Sequence, residues 1–366
     1  MTTNKRNLTI VAHSKGDKLG HPRFINEYLE QFKNKNINIS YFDGSCPTHN
    51  FLLKEIFYKN IDNKLINNLR KLYGVLIKSI NNLIVVLIKN KSPTLFLEES
   101  IRSFIFSEIL VNLFSIILLR KNINKRIYII HRPDFFIKET KLNKILVNFV
   151  KLFKKNIIIG VPNFLIFENS LICQDSLKID ILELGYGIAE IKKTRKIETN
   201  KKIKILIFGL IRANKNIYKT IRKLKSLKGD NFQVNIRGKG SKDLYEKIRS
   251  LIGSDKRFSI EYSYFEEEQI KLLYDESDAV IICCADIWYG FCGPFGLALE
   301  YRKPMLIASD SWISDLAERI GCGKKIDYSR DLNEQFEEVN QMEFNESYGE
   351  SLTYDLMSNN LIDKLS

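Results

Sequence analysis

The sequence predicts an α/β protein made of two successive doubly wound parallel sheets, each covered by helices. Three observations predict it. Short β-rich apolar runs alternate with longer segments of helical periodicity along the 366 residues. The alternation breaks once, over the charged stretch 188–200 (IAEIKKTRKIETN), and then restarts. The length also suits two domains of roughly 150 residues.

In the first half, 8–13 (LTIVAH) is a strand followed by a loop with Gly16 and Gly20. Residues 22–35 carry Phe24, Tyr28, Leu29 and Phe32 at helical spacing, and Pro22 suits a first turn. Further strands are expected at 37–42, 94–97, 126–131 and 156–161, and helices at 61–89, 101–119 and 142–153. In the first of these helices Leu65, Leu69, Leu72, Leu76 and Ile80 recur three or four residues apart. The stretch 188–200 lacks a sustained apolar pattern and is taken as the connection between domains. Beyond it, strands are expected at 202–208, 232–237, 258–262, 279–284 and 304–308. Helices are expected at 216–227, 244–252 and 266–275, with another starting in 295–301. The expected organisation is a first domain over 1–187, a connection over 188–200, a second domain over 201–345, and a C-terminal helix over 346–366 returning to the first.

Composition narrows the class. With 45% hydrophobic and 27% charged residues, the chain is a folded globular protein rather than a disordered one. Few Gly and Pro and six scattered Cys exclude collagenous and disulfide-framework proteins. No CxxC pair occurs, so Cys46, Cys173, Cys283, Cys284, Cys292 and Cys322 are expected as structural thiols in a reducing compartment. The N-terminus has no secretory pattern and no window reaches the ~18 apolar residues of a membrane span. A cytoplasmic location is expected. The net charge of +14 is uneven: residues 1–200 hold 32 Lys and Arg against 17 Asp and Glu, and 201–366 hold 25 against 26. A basic first half implies an anionic partner there, or a well-solvated lysine-rich surface.

Several chemistries are absent from the pattern. There is no GxxxxGK[ST], no HExxH and no GxGxxG after the first strand. Four His without paired Cys give no zinc-site spacing, and no metal is expected. No RRM, KH or helix-turn-helix pattern accompanies the positive charge, so nucleic acid is not expected as a partner. Two segments carry positive signals. After strand 202–208 come Gly209, Arg212 and Lys215, just ahead of a helix. The glycine permits a tight turn, and two cations beside a helix start suit a diphosphate. Before strand 304–308, the run Gly293-Pro294-Phe295-Gly296-Leu297 opens a helix that holds Glu300. Its backbone N–H groups suit an anion, and the carboxylate suits ribose hydroxyls.

Together these motifs resemble the nucleotide-sugar domain of GT-B glycosyltransferases of the group 1 family. Gly209-x-x-Arg212-x-x-Lys215 is similar to that family's diphosphate motif, and Arg237-Gly238-Lys239-Gly240 to its G-x-G turn. Tyr262-Ser263-Tyr264-Phe265, followed by Ser277-Asp278-Ala279, resembles its base-binding loop and strand lead. Phe295-Gly296-Leu297-x-x-Glu300 with Lys303-Pro304 and Ile307-Ala308-Ser309 resembles its F-G-x-x-x-x-E signature, one residue shorter. The resemblance covers about 202–330. It implies two Rossmann-like domains facing across a cleft, with a donor site formed by Gly209, Arg212, Lys215, Gly238, Tyr264, Phe295, Gly296, Leu297 and Glu300. The N–H groups near Gly296 would help hold the diphosphate. The family's glutamate pair departs here, because Cys292 stands seven residues ahead of Glu300 in place of a first acid; Asp286 is the nearby substitute. In the first half, Gly20 and His21 occupy the place of an acceptor and phosphate loop, and His131 with Asp134 the place of a strand-end catalytic pair.

The activity implied is transfer of a sugar from a UDP- or GDP-linked donor, with no cofactor or metal, to a glycan or polyprenyl-diphosphate-linked acceptor in bacterial surface polysaccharide synthesis. The alternatives are a sugar-nucleotide epimerase or sugar-phosphate transferase of the same fold, and a non-catalytic GT-B partner protein. Apolar faces mixed with Lys64, Arg70, Lys71, Lys78, Lys89 and Lys91, and with Lys144, Lys151, Lys154 and Lys155, add the expectation of peripheral attachment to an anionic inner leaflet.

Overall fold

The computed structural model describes residues 201–285 and 292–365 without a break. Before them it describes 7–12, 29–35, 37–43, 76, 79–80, 82–86, 93–99, 106–113, 125–130, 157–161, 180–183, 188 and 194–198. The chain divides into two units, Met1–Gly185 with Tyr354–Ser366, and Tyr186–Thr353.

The first unit contains β1 (Asn7–Ala12), β2 (Asn38–Asp43), β3 (Thr94–Glu99), β4 (Arg126–Ile130), β5 (Ile157–Val161) and β6 (Asp180–Glu183). They form one sheet in the order β2-β1-β3-β4-β5-β6 with every pairing parallel. Residues 29–34, 79–80, 82–86 and 106–113 are helical, inside three of the helices expected from periodicity; the fourth, 142–153, lies outside the described residues. Leu8, Ile10, Leu95, Ile127, Ile129 and Ile158 form the core with Phe32. The C-terminal helix Tyr354–Leu365 is part of this unit and places Met357 and Leu361 in the same core. Lys35 anchors it, donating to Asp355 Oδ1 at 2.8 Å. A buried ion network also lies here. Arg126 donates through Nε and Nη2 to the two carboxylate oxygens of Glu108, at 2.7 and 2.8 Å, and the Tyr128 hydroxyl donates to the same carboxylate. Both hydrogen-bonding arms of the guanidinium fork are thereby used, which such burial requires.

The second unit contains β7 (Ile203–Phe208), β8 (Phe232–Gly238), β9 (Phe258–Tyr262), β10 (Ala279–Ile282), β11 (Met305–Ile307) and β12 (Gly323–Lys325). Its helices are α1 (Ile217–Ser226), α2 (Lys242–Ile252), α3 (Glu267–Asp275), α4 (Gly293–Glu300), α5 (Trp312–Ile320), α6 (Leu332–Gln341) and α7 (Glu346–Glu350). The strand order is β12-β11-β10-β7-β8-β9, again all parallel. Central strands β10 (AVII) and β11 (MLI) are buried at every position, as a parallel sheet covered on both faces demands. One apolar layer joins the sheet to α1, α2 and α6 through Ile221, Ile248 and Phe336. The other joins it to α3, α4 and α5 through Tyr274, Phe295 and Leu316. Residues 194–198, inside the charged stretch 188–200, lie on this unit. Arg195 N–H donates to Arg302 O at 2.9 Å, and Ile197 is buried and clamped at both its backbone groups by the Asn340 amide.

The boundaries shift in two functional places. The strand expected at 279–284 ends at Ile282, leaving Cys283 and Cys284 at its carboxyl end, and the helix expected from 295 begins at Gly293. Proline fits that first turn because it lacks the N–H that a helix start leaves unused. Among the described residues no helix is long and apolar enough to cross a membrane.

Candidate functional site

Counted within the second unit, the strand order from β9 to β12 is 3-2-1-4-5-6. It reverses between β7 and β10, so the chain leaves β7 toward the α1 layer and β10 toward the α4 layer. A doubly wound sheet opens a crevice outside the carboxyl ends of its strands at such a point. The residues picked out by the sequence around Gly209 and around Phe295 come together there.

Gly209 ends β7 with φ +115, a conformation open to glycine at little cost. A side chain there would also stand 3.0 Å from Pro294 Cγ, so the turn lies directly against the first turn of α4. Arg212 follows in extended conformation, exposed, and its guanidinium makes no hydrogen bond or ion pair among the described residues. Lys215 ends a 3-10 turn (Ala213–Lys215) and is half-buried. Burial pushes the Cys283 thiol up to about 12, and the Lys215 ammonium is among the groups pulling it back. The Lys215 charge, carried on the turn after β7, is therefore felt at the carboxyl end of β10. Gly238 closes the other side of the turn: an added Cβ would overlap the Gly209 carbonyl.

At α4 the helix start sets which N–H groups are engaged. The N–H groups of Phe295 and Gly296 both bond to Cys292 O, at 3.0 and 3.2 Å, because the helix starts at Gly293. The Gly296 N–H is thus engaged within the helix, whereas the exposed Gly293 N–H has no acceptor among the described residues, and nothing lies within 4 Å of where its Cβ would be. Phe295 is fully buried and supports the helix from the core, with Leu297 packed against the same cluster. Glu300 ends α4 half-buried. Its charge reaches Tyr274, whose hydroxyl is held well above the usual range, first by burial. Cys292 is fully buried in the N-cap position. Near it, Cys284 Sγ and the hydroxyls of Ser309 and Ser311 form a buried polar cluster at the ends of β10 and β11, with Cys284 2.7 Å from Ser309 Oγ.

Beyond β9, Ser263 N–H donates to Gly238 O at 3.2 Å and the Tyr262 hydroxyl to Gly240 O at 2.6 Å. Tyr264 is half-buried, and desolvation, then the Glu266 charge, raises its hydroxyl. The supports are aromatic, and of them the sequence singled out only Phe265, as part of the loop after β9. Phe208 meets Phe265 edge-on at 6.2 Å and Tyr274 at 5.9 Å, and the Tyr274 hydroxyl donates to Pro294 O at 3.2 Å. These rings tie the loop after β9, the end of β7 and the start of α4 into one rigid frame. Aromatic residues scattered over 208–274 carry no local spacing that announces this. Gly20, His21, His131, Asp134 and Asp286 lie outside the described residues.

Comparison with solved structures matches this arrangement over the whole chain. The lipopolysaccharide outer core galactosyltransferase WaaB in its apo form aligns with TM-score 0.63 and 14% identity, over 98% of this chain and 99% of that one. HepE of Anabaena, in complex with UDP and glucose, aligns with TM-score 0.60 and 12% identity, over 98% and 99%. A glycosyltransferase from Rickettsia africae aligns with TM-score 0.56 and 13% identity, over 100% and 95%. The chain has the GT-B fold. No protein-family model matches the sequence, and no curated protein does. At such identities the likeness to GT-B enzymes is one of fold.

Proposed function

We propose that this GT-B chain is a glycosyltransferase whose second unit holds a UDP- or GDP-linked sugar at the β7/β10 switch point. The observation that carries the proposal is Arg212. It is an exposed guanidinium without a partner among the described residues, three residues ahead of Lys215 in the turn that packs through Gly209 against the first turn of α4. Cations and N–H groups converging on one crevice favour a diphosphate. The relatives in fold support the donor class, since HepE is in complex with UDP and glucose, and a trehalose-6-phosphate protein of E. coli is bound with UDP-2-fluoro glucose.

In the proposed reaction the bond between the sugar anomeric carbon and the diphosphate oxygen breaks, and the electron pair leaves on the diphosphate. Arg212, Lys215 and the Gly293 N–H stabilise that charge as it develops, where preorganised positive groups contribute most. No metal is required for this step. Glu300 accepts hydrogen bonds from ribose hydroxyls, and Tyr264 packs beside the base. The acceptor hydroxyl oxygen forms the new bond, and its proton passes to Asp134, with His131 holding a sugar hydroxyl. The first unit is proposed to take the acceptor, a glycan or polyprenyl-diphosphate-linked sugar, because the positive excess falls within residues 1–200. The same excess supports peripheral attachment to an anionic membrane, within a role in surface polysaccharide synthesis.

A panel of UDP- and GDP-sugars, assayed for release of nucleoside diphosphate with and without glycan and lipid-linked acceptors, tests this. Acceptor-stimulated release is expected. Tight binding with no turnover of any donor would instead favour the non-catalytic partner, the alternative raised by Cys292 in place of an acid. Interconversion of the donor sugar without release would favour an epimerase.

A further inference from the structure

We propose that Lys239 is a third cation for the donor diphosphate, alongside Arg212 and Lys215; the inference rests on the nucleotide site proposed above. Lys239 lies between Gly238 and Gly240 in the turn after β8, and that turn continues the parallel ladder past the strand ends. Ile211 forms a parallel bridge with Gly240. Ile211 N–H donates to Lys239 O at 3.0 Å, and Ser241 N–H to Ile211 O at 2.8 Å. Arg212 and Ser241 are both extended, with φ −134 and −75. Ile211 turns its side chain into the core, 1% exposed. Arg212, Lys239 and Ser241 flank this bridge, and all three are exposed.

Arg212 and Lys239 thus stand one residue either side of the same bridge. Neither side chain has a partner among the described residues. The two turns approach closely at the backbone. A Cβ on Gly240 would stand 2.9 Å from both the carbonyl carbon and the nitrogen of Ile211, and the Tyr262 hydroxyl holds Gly240 O. The chain runs from this bridge directly into the start of α2, whose Ser241 cap accepts from Leu244 N–H at 3.3 Å and whose dipole adds positive potential. Two like charges on adjoining turns repel each other, and an anion bound between them relieves the repulsion. The departing diphosphate gains one negative charge when its bond to the sugar breaks, so a third cation favours it over the intact donor.

The test is calorimetric titration of UDP, GDP, uridine and guanosine into wild type, Lys239→Met, Lys239→Arg and Arg212→Ala. Lys239→Met is expected to weaken the bound diphosphate about ten-fold, as loss of one charge-assisted contact does. Nucleoside affinity and thermal melting should stay unchanged, with Lys239→Arg close to wild type. If Lys239→Met binds both diphosphates as wild type does while Arg212→Ala loses them, the Lys239 proposal fails and the donor site stands. An equal loss of nucleoside and diphosphate would place Lys239 on the base and overturn it, and a lowered melting temperature would make its role structural. If wild type binds neither diphosphate, both proposals fail.

Discussion

Replacing Gly238 with alanine tests how the crevice is built. The added Cβ would stand 2.8 Å from the Gly209 carbonyl carbon and overlap its oxygen, both backbone atoms. Ordinary carbon contacts lie near 3.5–4.0 Å, and the 1.8 Å approach to the oxygen is tighter still, so the two turns must separate by more than about 1 Å. Separation lengthens Gly209 N–H to Arg237 O and Ile211 N–H to Lys239 O, both now 3.0 Å. Losing two ladder bonds, with added backbone strain, destabilises the unit by about 3 kcal/mol. For a unit of this size that lowers Tm by roughly 6–12 °C. Differential scanning calorimetry of the full chain, with UDP and GDP titrations in parallel, reads both effects. Nucleotide affinity should fall further than Tm alone explains, because the Arg212 and Lys215 backbone follows the displaced turn. Gly293→Ala is the control on the same crevice. Nothing lies within 4 Å of its Cβ position, and Tm should not change. A Gly238→Ala protein that melts with wild type and binds nucleotide equally would refute the account of how the two turns are locked.

Three further outcomes follow from particular side chains. Glu300→Gln should weaken the ribonucleotide donor about ten-fold and abolish the preference over a 2′-deoxyribose donor, measured by competition; a full wild-type preference would remove Glu300 from the ribose. Glu108→Leu should destabilise the first unit by about 3–5 kcal/mol, because it leaves the buried Arg126 charge unpaired, whereas Glu108→Leu with Arg126→Met should recover most of the loss in urea melts. Burial holds Cys283 up to about 12 and Cys322 higher still, above the ordinary thiol value near 8.5. The unfolded thiols therefore lose their protons first. The thiols' contribution to stability should be constant below about pH 8 and fall as pH rises beyond 8.5, and mapping after alkylation at pH 8 should find both thiols unlabelled in the native protein.

The sequence makes the centre of the sheet legible and its edges obscure. The runs IKILIF in β7 and AVII in β10 are apolar because both faces are covered, and the alternation in β8 marks a more exposed position. β12 is three residues long with two lysines, and it pairs only at the edge, so no periodicity reveals it. In α6 the buried Leu332, Phe336 and Val339 keep helical spacing, but Gln335 is buried beside them, bonding Asp327 N–H and O through its amide, and it breaks the apolar signal. The site divides in the same way. Gly209, Arg212 and Lys215 belong to one local turn and are visible as a motif. Pro294 against Gly209, and Tyr274 beneath Pro294, are contacts between residues up to 85 positions apart in sequence, fixed only when β7 and β10 pair. The start of α4 lies two residues ahead of the first apolar residue, Phe295, because the proline before it takes the first turn.

The central claim is that the switch point of the second sheet binds a nucleoside diphosphate through Arg212 and Lys215. Equilibrium titration of UDP and GDP into wild type and the Arg212→Ala/Lys215→Ala double variant tests it most directly. One charge-assisted phosphate contact contributes about 1.5–3 kcal/mol, so affinity should fall at least 100-fold in the double variant for whichever diphosphate wild type binds, with Tm unchanged. A double variant that binds the diphosphate as tightly as wild type would contradict the account and move the donor site elsewhere in the chain.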